Sequence, residues 1–159
     1  MLKYLYAKEV FSEIPGEISL AISISGCTIH CEGCHSKELW KDKGIILGLT
    51  EFQWLLGEHQ GITCVCLFGG EHDINALIEL FKYAHSRIKT AWYCGLEEIP
   101  EEKQIIFEYL DFLKIGPYKK ALGGLDRPTT NQRFYTIAHT DNGETFEDIT
   151  YKFWKSAKE

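Results

Sequence analysis

The densest chemistry in this sequence is a trio of cysteines. Cys27, Cys31 and Cys34 stand at C-x-x-x-C-x-x-C spacing inside Ser25-Gly26-Cys27-Thr28-Ile29-His30-Cys31-Glu32-Gly33-Cys34-His35. Three thiolates in one short loop can grip a single polynuclear metal centre. A cubane iron–sulfur cluster normally takes four cysteines, one per iron. Three leave one iron with a free position, open to a substrate as a catalytic zinc is. A zinc knot is the competing reading: zinc usually takes four protein ligands, and His30 or His35 would supply the fourth. Zinc sites usually pair two short cysteine hooks, however, and only one is present. A disulfide framework fits less well, because nothing points to secretion and intracellular cysteine clusters more often bind metal.

The elements that must position this loop follow from the apolar pattern. Lys3 to Val10 reads as an opening strand, and Ile14-Pro15-Gly16-Glu17 as a turn, with Pro and Gly at its two central positions. The next strand alternates: Ile18, Leu20, Ile22 and Ile24 face one way, and Ser19, Ala21, Ser23 and Ser25 the other. The cysteine loop begins where it ends. Ser36 to Lys43 reads as a short helical turn carrying Trp40. Thr50 opens a helix, with Gln53 completing a capping box and Phe52, Leu55 and Leu56 as its apolar stripe. Ile62 to Phe68 is a buried strand ending in Gly69-Gly70-Glu71. Asp73 caps a helix with Ile74, Leu77, Ile78, Phe81 and Ala84 on one side. Lys89 to Cys94 is a strand closed by Gly95. Pro100, Glu101 and Glu102 open another helix. Asp111 to Ile115 is a strand closed by Gly116-Pro117. Arg133 to His139 reads as one more strand, and Phe146 to Trp154 as helix or strand.

This alternation predicts an α/β fold of parallel β/α units. With 159 residues the chain is too short for a closed eight-unit barrel of about 250, so a partial, open parallel β/α barrel is expected. Ligands of such folds sit at the carboxyl ends of the strands. The cysteine loop, Gly69-Gly70-Glu71, Cys94-Gly95 and Lys114-Ile115-Gly116-Pro117 all fall at such ends. Two glycines let backbone approach a ligand closely, their carbonyls can accept from an ammonium group, and Glu71 adds negative charge.

The cysteine spacing resembles the signature of the radical S-adenosylmethionine (SAM) enzymes, whose fold is a partial barrel of this type. Cys31-Glu32-Gly33-Cys34-His35 with Trp40 resembles, more narrowly, the activating proteins of anaerobic ribonucleoside-triphosphate reductase. Gly116-Pro117-Tyr118, Gly123-Gly124-Leu125 and Thr130-Asn131-Gln132-Arg133 carry the likeness further, so that it runs from about residue 17 to 133. Ser36 departs from the Asn often found there. The resemblance implies that Cys27, Cys31 and Cys34 ligate three irons of a 4Fe–4S cluster whose fourth iron chelates SAM. Gly33 and His35, flanking Cys34, would contact the adenosine. Gly69, Gly70 and Glu71 would hold the amino group, and Lys114 would pair with the carboxylate, although a plain exposed lysine at a strand end is an equal reading. The implied reaction is reductive cleavage of SAM. A hydrogen atom is then taken from a glycine of the reductase, leaving a glycyl radical. The implied partners are the reductase's glycyl-radical subunit and an electron donor such as flavodoxin or ferredoxin. Alternatives are a radical SAM enzyme acting on another glycyl-radical enzyme or a small molecule, and a zinc-stabilised interaction module without chemistry.

Composition bounds the rest. One domain over 1–159 is expected, with a core at about 17–133 and a tail at 134–159. Apolar residues make up 45% and the formal net charge is −6, so a nucleic-acid footprint is not expected. No apolar run is long enough to span a bilayer, and the first residues lack a signal peptide's apolar core. A reducing cytoplasm is expected. Cys64 and Cys66, two apart on a strand, read as core packing, and Cys94 as structural. His59, His85 and His139 read as surface or helix residues, while His72 adjoins the Gly-Gly-Glu turn. Tyr151, Phe153 and Trp154 read as core, and Asn131 and Arg133 as residues shaping the substrate side.

Overall fold

Proline and glycine set the first turn of the chain. Strand β1 (Lys3–Val10) leads to Ile14-Pro15-Gly16-Glu17, where the Glu17 N–H donates to the Ile14 carbonyl at 3.1 Å and Gly16 has φ +79°. The turn expected there is present, and the positive φ at its second central residue fits type II. The chain then returns as β2 (Ser19–Ile24), antiparallel to β1. The structure, a computed structural model, describes residues 1–27, 29–30 and 37–154. The expectations for Cys31, Gly33, Cys34, His35 and Ser36 therefore lie outside the described residues.

The remaining elements are β3 (Ile45–Ile46), α1 (Leu49–Glu58), β4 (Cys64–Phe68), α2 (Ile74–His85), β5 (Lys89–Tyr93), β6 (Phe112–Ile115), β7 (Arg133–Thr140) and β8 (Gly143–Asp148). Short 3₁₀ segments cover Lys37–Trp40, Glu71–Asp73, Glu101–Tyr109 and Thr150–Phe153. The eight strands form one sheet in the order β3-β1-β2-β4-β5-β6-β7-β8. Its centre, β2-β4-β5-β6, is parallel, while β1 and β7 flank it antiparallel. Among the described residues the sheet is open, with β3 and β8 at its edges.

Strand periodicity divides the sheet into two faces. Leu20, Ile22, Val65, Leu67, Trp92 and Leu113 share the face covered by Phe52 and Leu55 of α1 and by Leu77, Leu80, Phe81 and Ala84 of α2. A fully buried side chain of this size contributes about 1.5–3 kcal/mol. The other face carries smaller residues, Ala21, Cys64, Cys66 and Ala91, roofed by Ile14, Phe134 and Ile149. β2 is thus buried on both faces, as a central parallel strand must be, rather than half-exposed.

Three local expectations are corrected. Thr50 does not open α1: Gly48 is its N-cap, with no side-chain cap, so Thr50 lies inside the first turn. The segment after Pro100 is 3₁₀ rather than α, and Pro100 precedes it as the cap with extended ψ 140°. The stretch from Phe146 to Trp154 is neither one helix nor one strand. β8 ends at Asp148, and the Thr150–Phe153 turn follows it, the Thr150 N–H donating back to the Asp148 carboxylate at 2.9 Å. Asp73 does cap α2, accepting from the Ala76 N–H at 3.2 Å. No helix among the described residues is long and apolar enough to cross a membrane.

Candidate functional site

The carboxyl ends of the four parallel strands meet around one small cavity of about 170 Å³. Cys27 enters it from the end of β2, Gly69 and Glu71 from the turn after β4, Tyr93 from the last position of β5, and Lys114 from β6. A larger hollow between Ile62, Tyr83 and Arg87 gathers none of these residues, and one beside His72, Asn75 and Lys103 takes in Glu71 alone. Of the described residues expected at the site, the structure brings Cys27, Gly69, Glu71 and Lys114 together at the cavity, while Gly70 does not line it.

Cys27 is held by its backbone. Its N–H donates to the Leu39 carbonyl at 2.9 Å, and the Gly26 N–H donates to Lys41 at 3.2 Å. The loop thus leaves β2 clamped against the segment that follows it. Beyond Cys27, His30 has φ +50° and stacks on Trp40, with ring centroids 4.3 Å apart. His30 is consequently engaged in an aromatic stack with the segment that follows the loop. His72 lies beside Gly26, where a Cβ would meet its ring at 3.4 Å, so it touches the root of the loop.

Gly69 and Gly70 both have left-handed backbone, φ +93° and +85°, which only glycine adopts readily. A Cβ on Gly70 would lie 2.9 Å from Leu77. Their carbonyls were expected to face a ligand, but each already accepts a protein hydrogen. Trp92 Nε1 donates to Gly69 at 2.7 Å, and the Asp73 N–H donates to Gly70 at 3.0 Å. The glycines shape the turn, and the open acceptor is Glu71. Its Oε1 accepts the Gly95 N–H at 2.7 Å, while Oε2 is buried with no hydrogen-bond partner among the described residues. A buried carboxylate oxygen left unpaired is costly, so this atom is placed to accept from a further donor at the cavity.

Lys114 is 8% exposed, not the exposed strand-end lysine weighed as the plain reading. Its Nζ donates to the Gly116 carbonyl at 2.7 Å and to Cys94 at 3.3 Å. It braces the ends of β5 and β6 and lines the cavity at the same time.

The other described cysteines are distinct from Cys27. Burial pushes the Cys64 thiol up to about 12 and Cys66 well above its ordinary value. Cys94 is also raised to about 12, by burial first and by the Glu71 charge second. All three are fully buried, where a thiol packs as a small apolar group. Cys94 instead accepts from the Leu96 N–H at 3.3 Å. Their structural assignment agrees with the sequence expectation.

Sequence reasoning passed over one side-chain group entirely. His85, Asp111 and His139 bring a ligand atom each to within 4.8 Å of one another. His85 and His139 had been read as plain surface or helix residues.

A family model described as a 4Fe-4S single cluster domain matches residues 15–135. No curated protein and no solved structure matches the chain. The match spans most of the sequence, so the chain belongs to the 4Fe–4S single cluster domain family and is an iron–sulfur, metal-binding protein. The zinc-only module loses its ground accordingly.

Proposed function

We propose that this member of the 4Fe–4S single cluster family is a radical SAM activase with a partial β/α barrel of the radical SAM type. It would cleave SAM reductively and abstract a hydrogen from a glycine of anaerobic ribonucleoside-triphosphate reductase, installing a glycyl radical. One observation carries the reading. Cys27, the unpaired Glu71 Oε2 and Lys114 converge on one cavity at the carboxyl ends of the parallel strands.

The residues present fit both groups. Cys27 stands at the cavity, and with Cys31 and Cys34 completes a donor set of three thiolates, the chemistry a site-differentiated cubane requires. Glu71 Oε2 would accept from the SAM ammonium. Lys114, whose Nζ is already held by two carbonyls, would lend positive charge to the side where the carboxylate lies. When bound, the reduced cluster and SAM together supply the radical chemistry. The protein's part is orientation and exclusion of water. Glu71 is fixed by the Gly95 N–H, so its free oxygen points one way before any ligand arrives. Phe68 and Tyr93, stacked at 4.4 Å, wall the cavity on its apolar side.

Gly33 and His35, which follow Cys27 by a few residues in sequence, are proposed to contact the adenosine. Asn131 donates to the Pro117 carbonyl at 3.1 Å and so shapes the loop after β6, on the proposed substrate side. A flavodoxin or ferredoxin would supply the electron, and a reducing cytoplasm would keep the thiols available.

The test is anaerobic reconstitution followed by mixing with SAM, a reductant and the reductase. The expected results are about four irons per chain, 5′-deoxyadenosine formation and a glycyl-radical doublet by electron paramagnetic resonance. Cleavage of SAM without the doublet would redirect the reading to another glycyl-radical enzyme or a small molecule. No cleavage by a cluster-loaded protein would overturn it.

A further inference from the structure

We propose a second metal site, made by His85, Asp111 and His139, that takes a divalent ion of the zinc class. It lies at the amino ends of the parallel strands, opposite the cysteine loop, and does not depend on the cluster reading.

The three residues come from three elements held in register by the backbone. His85 is the last residue of α2. Asp111 stands just before β6, its N–H donating to the Thr90 carbonyl at 3.0 Å and its carbonyl accepting from the Ile137 N–H at 2.8 Å. His139 lies two residues beyond Ile137 on β7, on the same side of the strand. Asp111 is thus pinned to both neighbouring strands, and its side chain is positioned too. Oδ2 accepts the Thr90 N–H at 3.0 Å, the kind of support that ligating carboxylates receive.

The distances suit a shared ion better than direct pairing. His85 Nδ1 lies 3.7 Å from Asp111 Oδ2, and His139 Nε2 lies 3.7 Å from Asp111 Oδ1. Both exceed hydrogen-bond reach. His85 Nδ1 is shielded from solvent and has no hydrogen-bond partner among the described residues. Donors around a tetrahedral zinc, each about 2.0–2.2 Å from it, stand roughly 3.3 Å apart. The observed separations, none above 4.8 Å, are within side-chain rotation of that arrangement. Two imidazoles and a carboxylate select a borderline ion rather than magnesium or calcium. All three side chains remain about a quarter to a third exposed, so water would fill the remaining positions and ions could enter. A bound ion would tie α2 to the β6-β7 edge of the sheet.

The test uses full-length, cluster-loaded protein and zinc ions alone. Equilibrium dialysis is expected to find one zinc per chain beyond the cluster iron. X-ray absorption at the zinc edge is expected to show nitrogen and oxygen neighbours at about 2.0 Å and no sulfur at about 2.3 Å. His139→Ala and His85→Gln should each weaken zinc binding at least tenfold, with iron content and zinc-free Tm unchanged. His59→Ala, altering an unrelated histidine paired with Glu9, should bind zinc normally. Equal uptake by wild type and the His85/His139 double variant, or sulfur around the zinc, would overturn the proposal. A variant that loses iron or melts early is replaced by Asp111→Asn, judged by the same zinc-edge spectrum.

Discussion

Ile29 packs directly onto Gly95. A methyl group built on Gly95 would lie 2.9 Å from Ile29 Cγ1 and 3.5 Å from Glu71 Oε1. The cysteine loop, the turn after β4 and the end of β5 therefore share one point of contact, and only a residue without a side chain fits there. The demand is spatial, since Gly95 is not among the positive-φ residues. Gly95→Ala should displace Ile29 and with it the loop. Overpacking of this sort costs about 1–3 kcal/mol. The expected outcome is a folded protein that retains less iron after reconstitution than wild type. Iron analysis beside a thermal melt checks it, and full iron retention would show that the loop does not rest on Gly95.

Glu71 offers a cleaner separation of scaffold from ligand contact. Glu71→Gln keeps an acceptor for the Gly95 N–H but replaces the unpaired, charged Oε2 by an amide. A hydrogen bond to a charged group is worth about 1.5–3 kcal/mol, so SAM affinity should fall by about 10- to 100-fold. Iron content should stay at the wild-type level. Titration of SAM into the reconstituted variant measures this, and unchanged affinity would remove the ammonium from Oε2.

The buried thiols predict how stability responds to alkali. Burial raises the Cys64 and Cys94 thiols to about 12 in the folded protein, against an ordinary value of 9.0, and holds Cys66 well above that ordinary value too. Between those values the native state holds protons that the unfolded chain has lost. Stability is then complete below pH 9 and declines as pH rises toward 12. The urea midpoint of the reduced, metal-free protein should be flat up to about pH 9 and fall increasingly above it. Cys64→Ala should make the fall shallower. A midpoint constant to about pH 11 would contradict the burial of these thiols.

The parallel centre of the sheet was legible because each strand ends in a punctuating glycine and each crossover carries a helical stripe or a capping residue such as Asp73. The edges were less legible for physical reasons. Ile45–Ile46 is two residues long and exposed, too short to show a period. The β7-β8 hairpin had a signal, Asn142-Gly143 with Gly143 at φ +108°, but the following strand and 3₁₀ turn merge into one ambiguous apolar run. At the site, the types and order of Cys27, Glu71 and Lys114 were readable from strand ends. That Glu71 oxygens divide into one bound and one unpaired was not, since this depends on where Gly95 lies in space. The meeting of His85, Asp111 and His139 is of the same kind: three separate elements, brought together by sheet register alone.

Gly70 tests whether the turn after β4 is a structural requirement independent of any ligand. Its φ of +85° costs an alanine about 1–2 kcal/mol. The added methyl would also lie 2.9 Å from Leu77 Cδ2, inside the main core, where a fully buried side chain has little room to yield. Gly70 further supplies the carbonyl that accepts the Asp73 N–H, so the strain is passed to the residue that caps α2. Gly70→Ala should therefore lower Tm by at least about 2–8 °C, the range for such a cost in a chain of this size. The loss should appear equally in metal-free and cluster-loaded protein. If Tm of the metal-free variant matches wild type and only SAM binding suffers, the glycine serves the ligand and not the turn.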